Sequence, residues 1–403
     1  MQNLQKLLIV LSGLAMLFIL IPACEPADDD RMPDLIPVQL PQGAHDNNIL
    51  VPEDSLLVLE NHREGLDYLI TRRSVVRGDL QIEPGVEIAF AEDAALDVRG
   101  SLKADGTPDD SIVFTGEEKV AGAWGFIAFL SENENNLLNY CVVEYGGGFE
   151  FSPHGDIASV FVDADASAAI NNSSIRNSGR YGLRISNQSA SLGSFVNNRL
   201  SGNMVPVFIP ANMVGAIEGG SFTGNAQDAI VVGTDGFSNP AIITNDVLWE
   251  DHAVPYHIDK PVYVASGVLT LSPGITMAFE DAATLTVGES DQAGLYAVGA
   301  PEKPLIFTGK TKTAGAWGGF VFDQTQNPNN EIGHAEIEYA ADSENMGAIR
   351  MWDSPNLNVH HVHFNHLENC VFYAAPEACN PNLNLEESDN THDNTGGDYF
   401  CGP

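Results

Sequence analysis

The segment Val359-His360-His361-Val362-His363-Phe364-Asn365-His366 gathers imidazoles among alternating apolar residues. If Val362 and Phe364 point into a core, His361 and His363 leave the strand on one outer face. Two residues of extended chain separate them by about 6.7 Å, within reach of one metal ion. No acidic or cysteine ligand is fixed nearby by spacing, so exposed histidines at bends and strand faces are the competing assignment. Asp163 and Asp165 are the best carboxylate pair, at a two-residue spacing that puts both on one face of a strand. A solvated edge is their plainer role. Calcium is conceivable at Asp163-Ala164-Asp165, at Glu280-Asp281 and at the stretch with Asp389, Asp393 and Asp398. None of these has the spaced ligands and fixed glycine of a calcium loop, so no cofactor is expected, with calcium the open alternative. Arg176, Arg180, Arg184 and Arg199 cluster in the middle of the chain, without a lyase signature around them. His154-Gly155 lacks acidic motifs in the order that polygalacturonases show. No residue is assigned to catalysis.

These residues must be held by a scaffold, and the chain writes its scaffold twice. Pro84-Gly85-Val86-Glu87-Ile88-Ala89-Phe90 returns 189 positions later as Pro273-Gly274-Ile275-Thr276-Met277-Ala278-Phe279. Ile112-Val113-Phe114-Thr115-Gly116 returns as Leu305-Ile306-Phe307-Thr308-Gly309, and Ala121-Gly122-Ala123-Trp124-Gly125 as Ala314-Gly315-Ala316-Trp317-Gly318. A duplicated block built from shorter repeats marks a solenoid. Between the copies, Asn- and Gly-marked strands such as Ile170–Ile175 and Phe195–Leu200 recur about every 20–25 residues. Alternate apolar side chains would share an interior, and Asn or Gly would take left-handed bends. The expected fold is all-β: a right-handed parallel β-helix, a single elongated domain with two duplicated halves.

In order and twice over, Pro-Gly-Val-Glu-Ile, Phe-Thr-Gly, Gly-Ala-Trp-Gly and Val-Glu-Tyr resemble bacterial surface β-helix lipoproteins of the pectin-lyase-like superfold. The resemblance covers most of residues 60 to 375 and implies a fold, not an activity. Trp124 and Trp317 invite a sugar-platform reading, but their recurrence beside glycines favours a scaffold role. Phe90, Phe114, Phe279 and Phe307 read as an internal stack.

At the N-terminus, Lys6 precedes an apolar run from Leu7 to Ile21, too short for a spanning helix and suited to a secretory signal. Leu20-Ile21-Pro22-Ala23-Cys24 resembles the lipobox of bacterial lipoproteins, which implies cleavage before Cys24 and a lipid on that residue. Glu25-Pro26-Ala27-Asp28-Asp29-Asp30 resembles the acidic surface-export signal of Bacteroidetes-type lipoproteins, a plain tether being the alternative. The expected divisions are a signal at 1–23, an acidic Pro-containing tether at 24–45, β-helix halves at 46–250 and 251–378, and a cap or loop at 379–403. Cys141 sits in an apolar strand pattern and reads as a core residue. Cys379 and Cys401 flank a polar C-terminal loop and are expected to pair, with Cys370 the competitor for either.

With 55 acidic residues against 18 basic ones, the net charge is −37. That excludes nucleic acid as a partner, since a phosphate backbone rewards clustered Lys and Arg. The 44% hydrophobic content excludes a disordered chain. The expectation is a surface-exposed, outer-membrane, lipid-anchored protein with a binding, adhesion or structural role, meeting a glycan or a surface protein. A polysaccharide lyase or glycoside hydrolase on the same fold is the alternative.

Overall fold

The computed structural model describes residues 38–40, 48–62, 65–151, 156–234, 240–344, 346–374 and 384–402. Gln39–Pro403 form one compact unit; the other unit, Met1–Val38, contributes only Val38 to the described residues. The larger unit is a nearly all-β solenoid of about 13 turns with parallel sheets. Cys24 and His154 lie outside the described residues.

Each turn lays one strand on each side of the coil, and each strand pairs in parallel with its counterpart one turn away. The interior is a set of stacked columns. Leu96, Ile127, Val160, Leu183, Val207, Ile230, Tyr256, Met277, Phe307, Ile337 and Phe364 stand in register along one side. None of them is more than 1% exposed. Burial of side chains of this size stabilises by roughly 1.5–3 kcal/mol each, and backbone pairing along the stack makes that gain cooperative.

That column shows how the two copies join. In the first half, Glu87–Phe90 and Ile112–Gly116 pair with each other on one side, while Leu96–Val98 and Ile127–Phe129 occupy the next. In the second half, the repeats of the former pair, Thr276–Phe279 and Leu305–Gly309, continue the side that carries Leu96–Val98. The second copy is therefore turned by one side of the coil. The change occurs around the 3-10 helix Ala211–Ala216, which interrupts the strand pattern.

Locally the copies keep the same conformations. Gly85 and Gly274 have φ of 81° and 95°, in the left-handed region that glycine enters without a Cβ clash. Phe90, Phe114, Phe279 and Phe307 are all fully buried, as expected. Side-chain amides replace missing backbone partners at the corners. Asn198 Oδ1 accepts the Ser173 N–H at 3.0 Å and its Nδ2 donates to Ile170 O at 2.7 Å. Asn136 and Asn330, at matched positions of the copies, accept from Leu102 and Leu295 N–H in the same way.

At the ends, two expectations change and one gains detail. The presumed tether contains a strand, Val38–Leu40, with Leu40 buried and its carbonyl accepting the Thr71 N–H at 3.1 Å. Pairing with a neighbouring coil overrides the flanking prolines. The C-terminal segment, expected as a cap or loop, contains a further coil: Leu385–Ser388, Thr391–Thr395 and Phe400–Cys401 pair in parallel with the coil before them. Two of its inward columns turn polar, Glu387 following Val359 and His392 following Phe364, while Leu385 and Phe400 continue those of Leu357 and Phe372; a polar outer face suits an end exposed to water. Finally, Cys401 is bonded to Cys370, not to Cys379. The last coil lays Phe400–Cys401 beside the strand Cys370–Ala374, and the Cα atoms of Cys370 and Cys401 stand 6.1 Å apart. Cys379 itself lies outside the described residues.

Candidate functional site

The histidine segment is a single bent strand, Leu357–Leu367, that runs across two corners of one coil. Val359, Val362 and Phe364 point inward, but His361 sits between them at a corner with φ of 54°. A left-handed residue resets the alternation of faces. His361 stands at the corner and His363 beyond it, and the group of three ligand-capable residues that includes His361 is completed by His334 and His360. His363 Nδ1 instead meets Thr391 Oγ1 at 2.9 Å, with Asp393 at 3.9 Å from its Nε2.

What His361 joins is a corner cluster. Its register neighbour in the preceding coil is His334, also left-handed at φ 44°, and the two ring centroids are 4.6 Å apart. One ring nitrogen from each of His334, His360 and His361 lies within 4.8 Å of the other two. His360 Nδ1 and His361 Nδ1 face each other at 3.2 Å. The far nitrogens meet carboxylates: His360 Nε2 contacts Glu331 Oε1 at 2.9 Å, and His361 Nε2 stands 3.8 Å from Asp389 Oδ2. Asn358 Nδ2 also donates to Glu331 Oε1, at 3.3 Å, and holds the carboxylate in place. Gly333 is essential to the arrangement, because a Cβ there would overlap the His360 ring. Desolvation, then His361 and His360, hold the His334 imidazole below its usual pKa.

The first half shows what the scaffold alone needs at this corner. His334 and His361 replace Tyr140 and Asn172, which have φ of 48° and 49°. There the amides satisfy one another: Asn172 Nδ2 donates to Asn139 Oδ1 at 3.0 Å, and Asn139 Nδ2 to Asp105 Oδ1 at 2.9 Å. Sequence reasoning missed Glu331, Gly333, His334 and His360 as partners of His361. Aligning successive coils of the second half, rather than counting faces within one strand, would have set His334 against His361.

The other expected sites separate. Asp163 and Asp165 lie in a turn after the strand Ala158–Val162, not on a strand. Asp163 accepts from Ser186 Oγ at 2.9 Å, and Asp165 is left-handed at φ 56°, which removes the common face. Of the calcium candidates, Glu280 is paired with Lys310, and Asp389 and Asp393 face His361 and His363. Arg176 pairs with Glu144 at 2.7 Å, and Arg184 with Asp156 at 2.8 Å, its guanidinium lying over the Phe208 ring.

Trp124 and Trp317 are fully buried and offer no face to a sugar. Each stacks on the matched phenylalanine, Phe90 or Phe279, with ring centroids 4.1 Å apart. Each indole donates to a strand carbonyl at 2.8 Å, Glu144 O or Glu338 O. Cys141 is likewise buried, and burial pushes its thiol pKa up. Among known proteins, no family model, no curated protein and no solved structure matches this chain.

Proposed function

We propose that the chain is a lipid-anchored β-helix protein of the outer membrane, displayed at the cell surface in a non-catalytic binding, adhesion or structural role. The observation that carries this reading is Cys24, placed where an apolar run ends and an acidic, proline-containing stretch begins. The solenoid supports it: the large aromatics that recur between the copies pack the scaffold instead of lining a groove. The net charge of −37 favours a mutually repelling, soluble surface and turns away nucleic acid. Among the described residues, no helix is long and apolar enough to cross a membrane. The partner on this reading is a glycan or a surface protein.

Exchange of Cys24 for Ser tests the anchor. The expected result is loss of radioactive palmitate incorporation, with release of soluble protein or accumulation of an uncleaved precursor. A processed, membrane-bound, palmitate-labelled Cys24→Ser protein would refute it. Incubation of the intact protein with uronic-acid polymers tests the non-catalytic role, and reproducible cleavage would transfer the chain to polysaccharide-active enzymes.

A further inference from the structure

We propose that His334, His360 and His361 bind one divalent transition-metal ion of the zinc class at a corner shared by two successive coils. This site is independent of how the chain is anchored.

Distance is the first argument. A tetrahedral zinc ion with Zn–N bonds of 2.0–2.1 Å holds two ligand nitrogens about 3.3 Å apart. His360 Nδ1 and His361 Nδ1 stand 3.2 Å apart. A ring nitrogen of the third imidazole, His334, lies within 4.8 Å of a ring nitrogen of each of the other two.

Protonation is the second. Glu331 Oε1 lies 2.9 Å from His360 Nε2 and takes its proton as a hydrogen bond, which directs the Nδ1 lone pair toward the cluster. Asp389 Oδ2 stands 3.8 Å from Nε2 of His361, a nearby negative charge on the outer side of the cluster. At 3.2 Å the Nδ1–H of His361 can donate to the His360 Nδ1 lone pair, and a metal ion would take the place of that proton. A carboxylate behind a ligating imidazole is also the usual way in which a protein orients the ring and raises its basicity.

Conformation is the third. Histidine is among the residues tolerated in the left-handed region, which alone would explain His334 and His361. It explains neither His360, which precedes the corner, nor Glu331, nor the glycine beneath the His360 ring. The matched corner of the first half is satisfied by Asn139 and Asn172 without any imidazole. His361 keeps 49% of its side chain exposed, so a fourth coordination position is open to water or to an external ligand.

The test is calorimetric titration of EDTA-stripped, full-length protein with zinc chloride, in a large excess of Mg2+ to occupy exposed carboxylates. One zinc ion per chain is expected. His360→Ala combined with His361→Ala should abolish the site. Glu331→Gln, nearly isosteric and not a ligand, should weaken affinity about 10- to 100-fold. Gly333→Ala should weaken it through displacement of the ring, and His363→Ala should leave it unchanged. Thermal melts in EDTA verify folding, and if the double variant fails to fold, Glu331→Gln decides. Absence of a zinc site in the presence of Mg2+ would overturn the proposal. So would a site whose affinity is the same in wild type and Glu331→Gln.

Discussion

Single side chains close the backbone of this solenoid where strands end. Asn198 bridges the corner through one acceptor and one donor and is only 1% exposed. Truncation leaves a buried N–H and a buried carbonyl unpaired, at about 1–3 kcal/mol each. Urea unfolding of Asn198→Ala should show a loss of roughly 2–4 kcal/mol; a change below about 0.5 kcal/mol would contradict the bridging role. His257 offers a test by pH. Burial first, then the charge of Lys310, lowers its pKa to about 4. Between about 4 and the ordinary 6.5 the unfolded chain binds a proton that the folded chain refuses. Stability from this group is thus lost as pH falls through that window. His257→Gln should flatten the fall in melting temperature over the same range, and equal pH slopes for variant and wild type would contradict the assignment. The limits of sequence reading are plain at this scale. The imidazoles of 359–366 were legible as candidates, but the geometry was not. Counting alternate faces is unreliable across a left-handed residue: the strand period sets His361 with His363, whereas the corner sets it with His334 and His360.

Elements were legible where short apolar runs recur between the copies. Glu87–Phe90 and its repeat, or Ile112–Gly116 and its repeat, announce strands that share an interior. The last coil was harder to see because it is built to face water. With Glu387 and His392 in inward columns, Leu385 and Phe400 stand without a regular apolar alternation between them, and the sequence indicates a cap or loop without the strands that build it. The Cys370–Cys401 bond ties this coil to the one beneath it, 31 positions apart in sequence. Closing a loop of that length stabilises by about 3–4 kcal/mol in the chain-entropy model. Phe400 adds a stack on Phe372, ring centroids 5.3 Å apart. Cys401→Ser should therefore loosen residues 384–402 first. Hydrogen exchange is expected to accelerate there while the strand Thr276–Phe279 stays protected. Uniform acceleration along the chain, or none, would contradict a capping role.

At the scale of the whole molecule, the duplication was legible but the relation between the copies was not. Motifs such as Pro-Gly-Val-Glu-Ile specify a strand, its bend and its inward residues. They do not specify which side of the coil below they stack upon. That choice is made at the junction near Ala211–Ala216, where the strand pattern lapses and no repeat motif occurs. Matched features of the two halves consequently face different directions, and the histidine corner of the second half does not lie above the asparagine corner of the first. A crystal structure of the full chain tests this arrangement most directly. The predicted result has Tyr256–Ile258 paired in parallel with both Ile230–Val232 and Thr276–Phe279, so that Leu96 and Phe307 share one interior column. A structure in which Phe307 stands instead in the column of its sequence counterpart Phe114, or in which the halves form two unconnected stacks, would contradict it.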